Sequence, residues 1–230
     1  MSNVDVAYDR QSELLAVARG LILEQGINGF KLIDIAKKVD IPRSQLYAHF
    51  RSREDVLVSI VVEDLQNVRD VVIDLVNDES LSHFERIMVM QLGPIFKALG
   101  SNGRAGTQFI MSNQSILNAV SQDTRDSVAM AFNNLMNSSH QIWMGAIYDK
   151  QVSVNEEQML ETKRLLAIFQ RGSVIMALHK APSQLMLPID FDFCYSYVFN
   201  AIKALQWDER VVCRRATIEK NLQQYFDKPF

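Results

Sequence analysis

The 230-residue chain is poor in the patterns that announce chemistry most directly. It has two cysteines, Cys194 and Cys213, nineteen residues apart. They lack the paired spacing of a zinc site and read as reduced, buried or half-buried thiols. The four histidines, at positions 49, 83, 140 and 179, are scattered, so neither a metal site nor a bound cofactor is expected. No Ser-x-x-Lys, His-x-x-x-His or Gly-x-Ser-x-Gly pattern occurs, nor a paired-carboxylate site. No catalytic residue is therefore nominated, and an enzyme is not expected. Long apolar runs are missing too. Val56–Val62, among the longest, stops at Glu63-Asp64, far short of the ~18 residues that span a bilayer. The N-terminus, MSNVDVAYDR, has no basic start followed by an apolar stretch, so no signal peptide is indicated and the cytoplasm is the expected compartment. There is no excess of positive charge either. With a net charge of −3, any contact with nucleic acid must come from a local patch.

What is present is helical periodicity in an ordinary globular composition, 48% apolar and 22% charged, which argues against disorder. No alternating strand, internal repeat or low-complexity tract stands out. Leu14, Ala18, Leu21 and Ile22 share one helical face, and Gly26 after Gln25 is a natural stop. Further helices are expected over 31–39, 43–49 and 53–77. After a break come 82–99, with Gly93-Pro94 as a kink, then 104–120, 122–149, 155–180, 189–207 and 208–226. The spacing of Gly100, Gly103 and Gly106 is that of an interhelical turn, since no strand precedes it as a phosphate loop requires. The expected class is all-α in two domains, 1–52 and 53–230.

The informative stretch is Lys31–Phe50, KLIDIAKKVDIPRSQLYAHF. Two helices crossing steeply over a three-residue turn need a small residue where their backbones approach, and Ala36 supplies it. The turn needs a residue that tolerates positive φ; Asp40 is among the non-glycine types that do. Ile35, Val39, Ile41, Leu46 and Phe50 are apolar at the offsets that bury both helices against the first. Arg43, Ser44, Gln45, Tyr47 and His49 then face outward, and all can donate hydrogen bonds to base edges and phosphates in a major groove. Charge is concentrated there as well. Residues 37–53 carry a net +4, whereas residues 1–50 sum to zero.

The order Glu24-Gln25-Gly26, Asp34-Ile35-Ala36, Leu46-Tyr47-Ala48-His49-Phe50 and Arg53-Glu54-Asp55-Val56-Leu57 resembles the TetR family of transcriptional regulators over roughly residues 10–60. The resemblance implies a three-helix, helix-turn-helix DNA-binding domain, joined by a fourth helix to a larger helical regulatory and dimerisation domain. It further implies a homodimer on a double-stranded DNA operator, repression, and release by a small-molecule effector. Tyr47 would place its hydroxyl on a phosphate, with Arg43, Ser44 and Gln45 at bases or flanking backbone and His49 near phosphate. Lys31 and Lys37 would add nonspecific attraction. Three positions depart from the family pattern: Lys31 stands at the usual Ser or Thr cap, Asp40 at the turn glycine, and Pro42 where a small hydroxyl residue commonly opens the recognition helix.

The rest of the chain matches in helix number and length only. Flexible thioethers, aromatics and a few polar groups on its middle helices suit an adaptable apolar cavity. Met88, Gln91, Phe109, Met111, Asn133, Met136, His140 and Trp143 are the ligand-binding candidates; bundle core or plain surface is the other reading of each. Dimerisation is assigned to the helices near 158–179 and 190–207, which carry wide apolar faces. The competing reading is an architectural or cell-cycle DNA-binding factor of the same fold without an inducer, which predicts a filled core.

Overall fold

The computed structural model describes residues 3–100, 110–111, 113–178 and 189–226, with side chains from Arg10 onward. Its elements are α1 (Asn3–Gln25), α2 (Leu32–Val39), α3 (Arg43–His49), α4 (Arg53–Asn77), α5 (His83–Gly100), α6 (Gln114–Ala119), α7 (Gln122–Tyr148), α8 (Glu156–Leu178), α9 (Phe191–Lys203) and α10 (Arg215–Phe226). The fold is all-α apart from one antiparallel bridge between β1 (Val152–Ser153) and β2 (Gln206–Trp207), with Val152 opposite Trp207. Two-residue strands are too short to leave an alternating signature in sequence.

The chain divides into two compact units, Met1–Leu65 with Gly106–Phe132, and Gln66–Ala105 with Asn133–Phe230. The first unit is built on the apolar faces of α1 to α4. Leu14, Ala18 and Leu21 of α1 meet Phe30, Ile35 and Ala36, then Leu46 and Phe50, then Val56, Leu57 and Ile60. Ile110, Val120 and Val128 join the same core, so this unit is wider than the 1–52 region. Arg19 fastens α1 to α4, donating to Glu63 and Asp64 at 2.9 and 2.8 Å and to the Ile60 carbonyl at 3.3 Å.

In the second unit α5 packs closely on α8, α9 and α10, and α8 on α9. The packing on α10 depends on a missing side chain. A Cβ at the buried Gly93 would lie 2.1–2.5 Å from the Phe226 ring. Pro94 inside α5 cannot donate to the carbonyl of Met90 and disturbs the helix there. Gln170 of α8 fills the gap, its Nε2 donating to the Gln91 carbonyl at 2.8 Å and lying 3.5 Å from that of Met90.

The helix expected over 104–120 is described from 110 onward and holds only α6, whose Asn113 side chain caps the N–H groups of Ser115 and Ile116. The two last helices are shorter than periodicity implies. α9 ends at Lys203, and Trp207 instead donates its indole N–H to the Ile202 carbonyl at 2.8 Å. Asp208 then caps a turn, accepting from the Arg210 N–H at 2.9 Å, and α10 begins only at Arg215. Apolar spacing continues through this turn, which is why it reads as helix in sequence.

Candidate nucleic-acid interface

The interface begins with the turn between α2 and α3. Asp40 ends α2 in the left-handed conformation, φ 55° and ψ 53°, and the N–H groups of Asp40 and Ile41 both donate to the Ala36 carbonyl. That closes the helix in the manner of a glycine cap, with a short polar side chain in glycine's place. Pro42, at φ −59°, is the N-cap of α3, and its carbonyl accepts from Gln45 and Leu46 at 3.0 and 3.3 Å. The α2 entrance lacks a capping hydroxyl. Asp34 compensates from inside the helix, its carboxylate accepting the Lys31 backbone N–H at 3.2 Å.

This frame sets the register of α3. Leu46 is fully buried at 0% exposure, while Tyr47, next in sequence, is 52% exposed. Arg43, Ser44, Gln45 and Ala48 are exposed, and His49 is half-buried with its ring 6.3 Å from that of Phe50. Arg43, Ser44, Gln45 and Tyr47 therefore share one solvent-facing surface on a seven-residue helix, with Lys31 exposed at the N-cap of the flanking α2 and Lys37 exposed on it.

The positive charge around that surface is mostly paired. Lys37 lies 3.5 Å from Asp34, Lys38 2.9 Å from Glu24 and Arg51 3.2 Å from Asp123 at the start of α7. Arg53 turns inward. It pairs with Glu54 at 2.9 Å, points to the Ile27 and Asn28 carbonyls and stands 6.0 Å over the Phe30 ring. It braces the α1–α2 connection, and its part in the +4 segment is structural. Arg43 has no carboxylate partner among the described residues, which leaves its guanidinium available to an incoming acceptor.

One further residue supports this unit from outside the motif. Asp55 of α4 is 2% exposed, and its carboxylate accepts the Ser121 backbone N–H at 2.9 Å, capping the start of α7. Burial pushes its pKa up, but the bond from Ser121 N–H and hydroxyls of Thr124, Ser121 and Ser52 outweigh this and hold the carboxyl below the usual carboxylate range. No sequence signal pairs positions 66 residues apart. The only hint was an acidic residue in the first turn of α4, where the helix dipole already explains it.

Residues 14–60 match the family model described as bacterial regulatory proteins, tetR family. The likeness to the TetR family is carried by these residues, which run from α1 into α4. Several solved structures share the fold along nearly the whole chain at low identity. E. coli NemR in its reduced form is 15% identical with a TM-score of 0.60, covering 87% of this chain and 99% of its own. KstR2 of Mycobacterium tuberculosis, a ketosteroid transcriptional regulator, is 17% identical with a TM-score of 0.56, covering 86% and 96%. A putative TetR-family regulator from Mesorhizobium loti is 13% identical with a TM-score of 0.61, covering 86% and 95%. No curated protein sequence matches the chain.

The ligand-binding candidates of this TetR-type fold are spread over different environments. Met88 and Trp143 are fully buried, Gln91 and His140 are half-buried, and Met111, Asn133 and Met136 are exposed. Phe109 lies outside the described residues. Met136, His140 and Trp143 share one face of α7, spaced four and three residues apart. Two open polar cavities of about 480 and 440 Å³ lie elsewhere in the second unit, sharing Asp149 and Gln151. Among the described residues no three His, Cys, Asp or Glu are placed to hold a metal, and no helix is long and apolar enough to cross a membrane.

The two helices assigned to dimerisation divide their apolar residues between core and solvent. Leu166, Val174 and Leu178 of α8 and Tyr195, Val198 and Ile202 of α9 are buried within the second unit. Leu165, Ile168 and Ile175 of α8 and Phe193 and Tyr197 of α9 are exposed, Ile168 by 64% and Phe193 by 52%. Phe169 ties the two exposed stripes together, stacked on Tyr197 at 3.9 Å and 6.0 Å from Phe193.

Proposed function

We propose that the protein is a homodimeric, sequence-specific DNA-binding transcriptional repressor that a small, largely apolar molecule releases from its operator. The observation that supports this best is the surface of α3. A buried Leu46 holds the helix in register while Arg43, Ser44, Gln45 and Tyr47 face outward from a fold shared with transcriptional regulators. In this reading residues 1–52 form the DNA-binding domain and 53–230 the regulatory and dimerisation domain, acting in the cytoplasm. Arg43 and Gln45 read base edges, Ser44 assists, and Tyr47 and His49 meet phosphates, with Lys31 and Lys37 adding attraction. No residue has a catalytic role.

Support for dimerisation comes from the exposed Leu165, Ile168, Ile175, Phe193 and Tyr197, apolar and aromatic side chains of the kind that self-associate. A two-fold pair presents two α3 helices to successive major grooves, roughly 34 Å apart or a multiple of it. For release, the effector must bind the DNA-incompetent arrangement more tightly than the competent one; equal affinity shifts nothing. The test is capture of genomic fragments on the full-length protein, followed by a metabolite screen for release. A discrete set of fragments, freed by a small molecule, is the expected result. Retention of every fragment alike favours an architectural factor, and a monomer in sedimentation at micromolar concentration contradicts the dimer.

A further inference from the structure

The inner stripe of α8 is not uniformly apolar. Between the buried residues Met159, Leu166, Ser173 and Val174 stand half-buried Lys163 and Gln170. Gln170 is explained by its bonds to the Gln91 and Met90 carbonyls, the second of which loses its helical donor at Pro94. Lys163 has no such explanation. Its ammonium lies 3.1 Å from His140 Nδ1 on α7, and no carboxylate is within ion-pair distance among the described residues. A lysine drawn partly out of water is held in its charged form by a nearby anion. Here its partner is another base. Burial lowers the proton affinity of both groups, and for His140 the charge of Lys163 lowers it further, against a smaller opposing pull from Glu156.

A second donor lacks an acceptor nearby on α7. Trp143, three residues after His140 on the same helical face, is 0% exposed, and its buried Nε1–H has no hydrogen-bond partner. Native interiors rarely leave such a group unpaired. His140 thus has beside it an ammonium without a carboxylate and, three residues on, an indole N–H without an acceptor; a negatively charged, acceptor-rich group would supply what the ammonium lacks. Large apolar side chains flank the pair on both helices. Met136 and Met144, one helical turn either side of His140, and Leu160, three residues before Lys163, are large hydrophobic side chains left exposed.

We propose that Lys163, with His140 beside it, receives the carboxylate of an amphiphilic organic acid whose apolar body lies along Met136, Met144 and Leu160. The inference rests on the effector reading above and narrows it from a largely apolar molecule to one that carries a single negative charge. Lys163 is the specificity-determining residue: it separates an acid from the alcohol of the same length. Trp143 offers the second donor to the same oxygens or to a neighbouring carbonyl of the ligand.

The test uses the full-length protein and matched probes: decanoate against decanol, and 4-isopropylbenzoate against the corresponding benzyl alcohol. Thermal unfolding is followed at increasing probe concentration in wild type, Lys163→Met and Lys163→Gln, the second variant serving if the first does not fold. The acids are expected to raise Tm saturably and the alcohols are not. Either substitution should weaken the acid's apparent Kd by about tenfold or more, the scale of a lost charge-assisted bond. Operator binding should stay at the wild-type level in both variants. Equal responses to acid and alcohol, an acid response that survives in the variants, or no response to either acid would overturn the proposal. Each of these leaves the DNA-binding reading standing, because that reading is judged by fragment capture alone.

Discussion

At the scale of single residues, Arg43 and Tyr47 should be separable by experiment. Arg43 is exposed and has no carboxylate partner among the described residues. Replacing it with alanine should cost about 1–3 kcal/mol of operator binding and relax sequence preference at the base pairs it reads. Tyr47→Phe removes only a hydroxyl and should weaken binding to all duplexes nearly equally, which titrations on operator and on scrambled duplex would show. Asp123 acts in the opposite sense. Its pair with Arg51 is exposed on both sides, so DNA competes for Arg51 at small cost. In Asp123→Asn the affinity for any duplex should rise by no more than about a few-fold. The slope of log affinity against log salt should steepen by at most about one phosphate equivalent. Unchanged affinity and slope would mean that Arg51 does not reach the backbone. The outward residues of α3 were legible in sequence because helical spacing from Leu46 and Phe50 fixes them. The pairing of Arg51 with Asp123 was not, because the partners are 72 residues apart.

Among the elements, α2, α3 and α4 were the most legible. Their ends are set by neighbours in sequence: Asp34 and Asp40 for α2, Pro42 for α3, Ser52 and Asp55 for α4. The turn from Trp207 to Arg215 was the least legible, since a two-residue bridge and a capped turn override a pattern that still reads as helix. The contact of α5 with α10 could not be read either: a glycine beside a proline announces a kink, not a slot for Phe226. Gly93→Ala forces a methyl group into that ring and should lower stability by about 1–3 kcal/mol in denaturant unfolding. Phe226→Leu should recover part of the loss, and full stability of Gly93→Ala alone would show that α10 can move aside freely. Asp55 makes a pH-dependent contribution to holding α4 on the start of α7. Its folded-state pKa lies below the unfolded value, so the stabilisation is complete above the ordinary carboxylate range, about 3.9, and fades as pH falls through the folded value. Asp55→Asn should therefore be less stable than wild type at neutral pH, and the gap should shrink below about pH 4. A gap that stays constant with pH would remove the carboxylate from the account.

For the molecule as a whole, net charge is a misleading guide. A chain at −3 has its candidate nucleic-acid surface on one seven-residue helix, and most cations around that helix are already paired. In the proposed reading, recognition depends on the geometry of a few unpaired donors and on a second copy of them, more than on bulk attraction. The proposed dimer face reads in sequence only as two apolar helices; α5, packed on the inner side of α8 and α9, decides which half of each apolar set faces solvent. Footprinting of the full-length protein on a genomic fragment it captures is the most direct measurement of the central claim. Two protected half-sites related by two-fold symmetry, one or more helical turns apart and both lost in Arg43→Ala at physiological salt, are predicted. Uniform protection along the fragment, or a protected site that Arg43→Ala leaves untouched, would contradict α3 as the reading element.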